Sequence, residues 1–414
     1  MLSLLLVVVA QAAAPKGLGL RELQERARKN DPRTMQVAAQ LENARGKSQE
    51  ASWVFFPAFQ STAYLAGPTP QRRLIGGDSD PNPTDPSRLK PGSQGGIFHG
   101  DQGVTAHIDV QAVIPIYTFG KWTAGKSAAG HLVNANEALL QRARDQAAYD
   151  VARAYWGYQT ARNADASVQK VRTQHASAVK NRDLAITGLR LLVGAQSGEE
   201  LPIAEQELPQ APPPPNPDEI LRRALQQRPE ARAANEGVAA RQSLVDLARA
   251  RLWPDVGIVG GVRFTTTTNA DNPPSPFVNN PYHESSGFVA LGMQWTLDVP
   301  QKLARLRQAE AELHEAIAMQ VGAEQLVRLD VQQALGDLTD ARVRIERYGN
   351  ETQIGKQLAN QAGVAFDSGL GDARELLEGT LLFMRADGER LKALYDAQLA
   401  WAALERSVGA PLGP

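Results

Sequence analysis

The sequence predicts a mainly α-helical chain with a small β part, in which one helix-strand-strand-helix unit occurs twice. Three observations predict it. Pro32 and Pro57 return with the same spacing as Pro229 and Pro254, at an offset of 197 residues, and Asp150-Val151, Ala154-Tyr155-Trp156 and Ala161-Arg162 return as Asp330-Val331, Ala334-Leu335-Gly336 and Ala341-Arg342, at an offset of 180. A repeat of about 200 residues is far longer than a solenoid unit, so it is a duplicated half-fold. Two stretches in each half alternate apolar and polar residues with period two, the mark of strands with unlike faces. The rest is helix-forming, and from Lys302 to about Gln361 it contains no proline.

In chain order, residues 1–14 have a short apolar core, Leu4 to Val9, followed by small residues, which reads as a signal peptide and hence export. Residues 15–210 form the first repeat: helix, two strands, long helix and a shortened returning helix. Its helical run between Arg21 and Ser52 contains Asp31-Pro32, an N-cap followed by the proline favoured at the first helical position. The same device recurs at Asn216-Pro217 and Arg228-Pro229. The first strand, near Ala58 to Leu65, is the least regular. The second runs from Val104 to Ile116, with Val104, Ala106, Ile108, Val110, Ala112, Ile114 and Ile116 on one face and Thr105, His107, Asp109 and Gln111 on the other.

Residues 211–217, with four consecutive prolines, read as a stiff linker. Residues 218–414 form the second repeat, whose strands alternate through Val256, Ile258, Gly260, Val262 and Phe264 and then through Val289, Leu291, Met293, Trp295, Leu297 and Val299. The apolar parity switches between these two. The connections inside the strand pairs, Pro68 to Gly103 and Thr265 to Ser286, are long and rich in Gly, Pro, Asn, Asp and Ser. In the long helix, Leu306, Leu313 and Ile317 mark a heptad-like stripe, and sixty residues would reach roughly 90 Å. Asp150 to Gly194 is about 35 residues shorter than Asp330 to Gly409, so the first returning hairpin is expected to lack its tip.

Composition removes several classes. The chain has no cysteine, which excludes disulfides, thiol chemistry and a lipidated N-terminal Cys, and its net charge of −1 gives no nucleic-acid footprint. No apolar run of 18 residues follows the leader, so no α-helical membrane span is expected. The six histidines are scattered without metal-ligand spacing, Gly194-Ala195-Gln196-Ser197-Gly198 lacks a nucleophile-elbow serine, and the glycines from Gly257 to Gly261 sit in a strand. No catalytic residue, metal or cofactor is expected.

Strands of about ten amphipathic residues are long enough to cross a bilayer as tilted barrel strands, and aromatics cluster where strands meet helices: Trp53, Phe55, Tyr117, Trp122, Trp253 and Trp295. A soluble sheet packed on helices is the alternative, but four strands are few for so much helix. Four strands cannot close a barrel, since the smallest need about eight, so the barrel is expected to be shared between subunits. A passive duct is the favoured function. A non-conducting periplasmic helical scaffold or stalk is the other.

The duplicated unit, Pro115-Ile116-Tyr117-Thr118-Phe119-Gly120-Lys121 closing the second strand, and the segment from Phe366 through Gly371-Asp372 to Glu375-Leu376-Leu377-Glu378 together resemble the TolC-like outer-membrane efflux proteins. The resemblance implies a homotrimer, with four strands per protomer contributing to a 12-stranded outer-membrane β-barrel continued by a long α-helical periplasmic tunnel. It implies contact with outer-membrane lipid, and partnership with a periplasmic adaptor and an inner-membrane pump in efflux or secretion. It also implies that Glu375 and Glu378 line a periplasmic gate as acidic rings, neighboured by Phe366, Gly371 and Asp372. In the family's pattern, a tyrosine and an arginine stand at the places of Phe366 and Gly371. The strand-helix junctions fall at Pro57, Pro254, Gly120 and Lys121.

Overall fold

A computed structural model describes residues 17–53, 56–71, 101–168, 172–195, 199, 201–204, 207–268 and 282–412. The stretch read as a signal peptide, Phe55 and most of the two long connections lie outside the described residues. The element order is α1 (Leu20–Asn30), α2 (Pro32–Ser52), β1 (Ala58–Gln71), β2 (Asp101–Tyr117), α3 (Lys121–Val168), α4 (Arg172–Leu192), α5 (Pro217–Gln227), α6 (Pro229–Ala250), β3 (Asp255–Thr267), β4 (His283–Gln294), α7 (Val299–Asp367) and α8 (Ala373–Val408). The chain divides into two compact units. A helical unit takes the described parts of residues 1–47, 129–241 and 311–414, and a sheet unit those of 48–128 and 242–310.

In the sheet unit the strands pair antiparallel in the order β1-β2-β3-β4. Register explains the switch of parity read in the sequence. Ile108 pairs with Phe264, Val110 with Val262 and Ala112 with Gly260, while Ile258 pairs with Leu291 and Gly260 with Val289. Directly opposed residues share a face, so the even positions of β2 and β3 and the odd positions of β4 form one apolar surface.

Two strands depart from the sequence expectation. β1 runs on to Gln71 and β2 begins at Asp101, inside what reads as loop, with a register shift between Ala66 and Thr69. The shift breaks the alternation beyond Ala66, which is why the outer end of this strand does not read as one, and prolines are accommodated on an edge strand at such a shift. β4 ends at Gln294, although the alternation continues through Trp295 and Leu297 to Val299. Helix α7 takes over there, because Pro300 has its φ already set for a first helical turn and Asp298 is ion-paired to Lys302 one turn on (3.1 Å).

The helical unit is also built twice. α1 seals a core of Leu23, Ala27, Val151, Tyr155, Leu189 and Val193. α5 seals the corresponding core of Ile220, Ala224, Val331, Leu338, Ala397 and Leu404. In each repeat the glycine after the returning helix, Gly194 or Gly409, has positive φ (66° and 75°) and abuts the break between the first two helices of its repeat, α1 and α2 or α5 and α6. A Cβ on Gly194 would come within 2.8 Å of Asn30 Cβ, and one on Gly409 within 2.9 Å of Pro229 Cδ. The residues that betray the repeat in sequence are therefore neighbours in space. The second hairpin is the longer: α7 and α8 have 69 and 36 residues, whereas α3 and α4 have 48 and 21.

Candidate functional site

The sheet has two chemically opposite faces. On the apolar face Ile108, Val262, Phe264, Val289, Leu291 and Met293 are all exposed, Val289 and Leu291 to 81% and 73%. Fully exposing a Val, Leu or Phe side chain to water forgoes about 1.5–3 kcal/mol of burial each, and a contiguous patch of this kind marks a surface that something covers. Among the described residues β1 pairs only with β2 and β4 only with β3, so both sheet edges carry unpaired backbone groups.

The opposite face is polar and laced across strands. The His107 ring stacks on Tyr64 (centroids 4.7 Å) and its Nδ1 lies 2.9 Å from Thr265 Oγ1. Thr105 and Thr267 hydroxyls meet at 3.0 Å, and Arg263 Nε donates to Asp109 Oδ2 at 3.0 Å. Ser286 donates to Glu284 at 2.8 Å. Alternation in the sequence reveals Asp109 and His107 as polar-face residues, but their partners come from β3 and needed the register.

The strand-helix junctions are polar and aromatic. Pro57 and Pro254 immediately precede β1 and β3. At the start of α3, Gly120 has φ 88° and Lys121 Nζ donates to the Trp253 carbonyl and to Asp255, both at 2.8 Å. Phe119 stacks on Trp253 (5.7 Å) and meets Tyr117 edge-on (4.7 Å), while Trp53 and Phe56 form a second edge-on pair (5.9 Å). Trp295 Nε1 donates to the Leu252 carbonyl (3.1 Å), and Lys126 sits 5.1 Å from the Trp122 ring. Trp53, Tyr117, Trp253 and Trp295 are exposed, each an apolar ring carrying one polar group.

Within the helical unit, Phe366, Gly371, Asp372, Glu375 and Glu378 are gathered by the α7–α8 turn. Leu370 and Gly371 both donate to the Ala365 carbonyl at 2.9 Å, and Asp372 caps α8 by accepting from the Arg374 amide (3.3 Å). A Cβ at position 371 would fall 2.9 Å from Ala365 and from the Phe366 amide, so the turn itself demands glycine there. Glu375 and Glu378 are exposed on one helical face. Arg374, which the sequence reading passed over, donates to Glu378 at 2.9 Å. Its i, i+4 spacing to Glu378 is the signal that would have found it.

Among the described residues no group of three or more His, Asp or Glu side chains is placed to hold a metal, and no helix is long and apolar enough to cross a membrane.

Residues 220–410 match the family described as outer membrane efflux protein. No curated protein sequence matches the chain. Among solved structures, the MtrE outer-membrane channel of Neisseria gonorrhoeae in its open state is similar with a TM-score of 0.75 at 18% identity, covering 95% of this chain and 89% of that one. The outer-membrane channel OprN gives 0.72 at 18% identity, covering 94% and 90%, and the outer-membrane protein VceC of Vibrio cholerae gives 0.67 at 16%, covering 94% and 96%. At such identities the likeness is one of fold. The mainly helical, twice-written fold with four strands and the resemblance to TolC-like channels are both borne out.

Proposed function

We propose that this chain, a TolC-like outer-membrane efflux protein by fold and by the family pattern of residues 220–410, is the exit duct of an efflux or secretion route. Three copies associate, and substrate is driven through them by an inner-membrane transporter acting through a periplasmic adaptor. The sheet unit stands in the outer membrane and the helical unit in the periplasm.

One observation carries the reading: an apolar sheet face with no protein over it, on a sheet with both edges unpaired. Lipid satisfies the face, but a bilayer has no water for unpaired backbone groups, so the sheet must close. Because β1 and β4 run antiparallel, β4 of one copy can continue onto β1 of the next, and three copies make twelve strands. The exposed Trp53, Tyr117, Trp253 and Trp295 then lie at a membrane-water interface.

At the periplasmic end, three copies of Glu375 and of Glu378 form acidic rings that attract cations. Arg374 offsets the charge of Glu378, to which it is paired, so the Glu375 ring is the stronger. Single-channel recording in a planar bilayer tests both levels. Discrete cation-preferring openings are expected, with the preference lost in Glu375→Gln, Glu378→Gln. Openings of unchanged selectivity in that double variant would remove the rings and keep the duct; no openings, together with a soluble periplasmic pool, would leave a helical scaffold.

A further inference from the structure

We infer that Arg263 is the charge-selecting residue of the barrel section, giving it a preference for anions opposite in sign to that of the acidic α7–α8 turn. The inference rests on the duct reading above, which turns the apolar face to lipid and the laced polar face to the interior.

On that polar face the pair Asp109–Arg263 is asymmetric in exposure. The Arg263 side chain is 47% exposed and that of Asp109 is 14%. The carboxylate is sunk against the sheet while the guanidinium, held through Nε, leaves its outer nitrogens to the interior. Neighbouring rows reinforce the pattern. In the next row, Tyr64–His107–Thr265–Glu284, Tyr64 lies on the His107 ring and the Thr265 hydroxyl meets its nitrogen. Of the other carboxylates at this parity, Asp255, at the junction end of β3, is ion-paired to Lys121, and Glu284 is partly buried and held by Ser286. Its partner Thr265 is two residues from Arg263, so the Glu284 row lies about 7 Å nearer the β3–β4 connection.

Twelve strands spaced about 4.8 Å apart and tilted about 40° enclose a backbone radius of about 12 Å. An inward arginine therefore brings its charge to within about 7 Å of the axis, inside the Debye length of about 8–10 Å at physiological salt. Three such charges matter to a passing ion at 0.1 M salt and are screened at 1 M.

The test uses the full-length protein reconstituted in planar bilayers under a KCl gradient, comparing Arg263→Gln and Asp109→Asn. Arg263→Gln is expected to raise the cation-to-anion permeability ratio about threefold at 0.1 M salt, and Asp109→Asn to lower it, with both differences vanishing near 1 M. The opposite signs are the decisive readout. If Arg263 merely stapled β2 to β3, breaking the pair from either side would perturb the channel in the same direction, and that result overturns the inference. So does normal conductance with selectivity unchanged in both variants, which leaves the duct reading intact. Absence of conductance in the wild type removes the duct reading and this inference with it.

Discussion

The two helix breaks at Pro32 and Pro229 occupy the same place in the two repeats, yet they are wired with opposite charge. In the first, Asp31 precedes the proline and Arg33 follows it. Arg33 joins Asp31 and Asp150, each at 2.7 Å, and Asp31 also caps α2 by accepting from the Arg33 amide at 2.7 Å. In the second, Arg228 precedes the proline and Glu230 follows it, and Arg228 joins Glu230 (3.1 Å) and Asp330 (2.5 Å). What the duplication preserved is an arginine tied to the aspartate one long helix away, not the position of the arginine. Moving it across the proline changes its burial: the Arg33 side chain is 54% exposed and that of Arg228 is 8%. Equivalent ties should therefore differ severalfold in what they contribute.

That comparison can be broken most sharply at Arg228. Arg228→Ala takes a buried guanidinium from Asp330 and leaves Glu230 with Arg142 (3.2 Å), and should cost about 3 kcal/mol of unfolding free energy, read from denaturant unfolding followed by helical circular dichroism. Because a Cβ at position 409 would lie 3.1 Å from Arg228 Cα as well as 2.9 Å from Pro229 Cδ, Gly409→Ala should cost about 2–3 kcal/mol by forcing a left-handed residue into backbone. Gly194→Ala meets a side-chain carbon of Asn30 instead and should cost about 1–2 kcal/mol in the same assay. Equal losses at the two glycines would mean that the junctions are mechanically alike after all.

The junctions should also separate by pH. Asp145 lies beside Arg228, Glu230 and Asp330, and burial pushes its carboxyl up to about 6. A raised carboxyl favours folding below its unfolded value near 3.9 and loses that advantage as pH climbs through the folded value. Taking the pH from 7 to 5 should therefore stabilise the wild type by about 1 kcal/mol relative to Asp145→Asn, and a flat difference between the two would refute the assignment. At the first junction the hydrogen bond from Arg33 holds Asp31 below the usual carboxylate range. Its contribution is present above about pH 4 and fades only as pH falls through the lower folded value. The smallest effect is expected at Arg33→Ala, about 1 kcal/mol, since its guanidinium is half exposed and the buried Asp31 keeps the hydrogen bond from the amide of residue 33.

Much of this architecture was legible because it is periodic. The alternation of β3 and β4 was readable in the sequence, and the register then puts their apolar sets on one face. The hidden parts are those where backbone geometry overrides periodicity. Alternation carried on past Gln294, but Pro300 and the Asp298–Lys302 pair start a helix instead. The bulge after Ala66 concealed the outer end of β1. Arg374 and Arg263 escaped notice because a lone arginine means little until its partner, Glu378 one turn along or Asp109 on the next strand, is in place.

By itself the sequence determined the duplication, the two-faced strands, the absence of cysteine chemistry and the impossibility of closing a barrel from four strands, since each follows from spacing, alternation and count. Only the tertiary structure decided that Gly194 and Gly409 seat on the proline breaks, that the arginine tie survives with its charges exchanged, and that Asp109 lies beneath Arg263. Those outcomes depend on contacts between residues more than a hundred positions apart, or across a helix break, where short-range pattern carries no information and packing alone selects the partner.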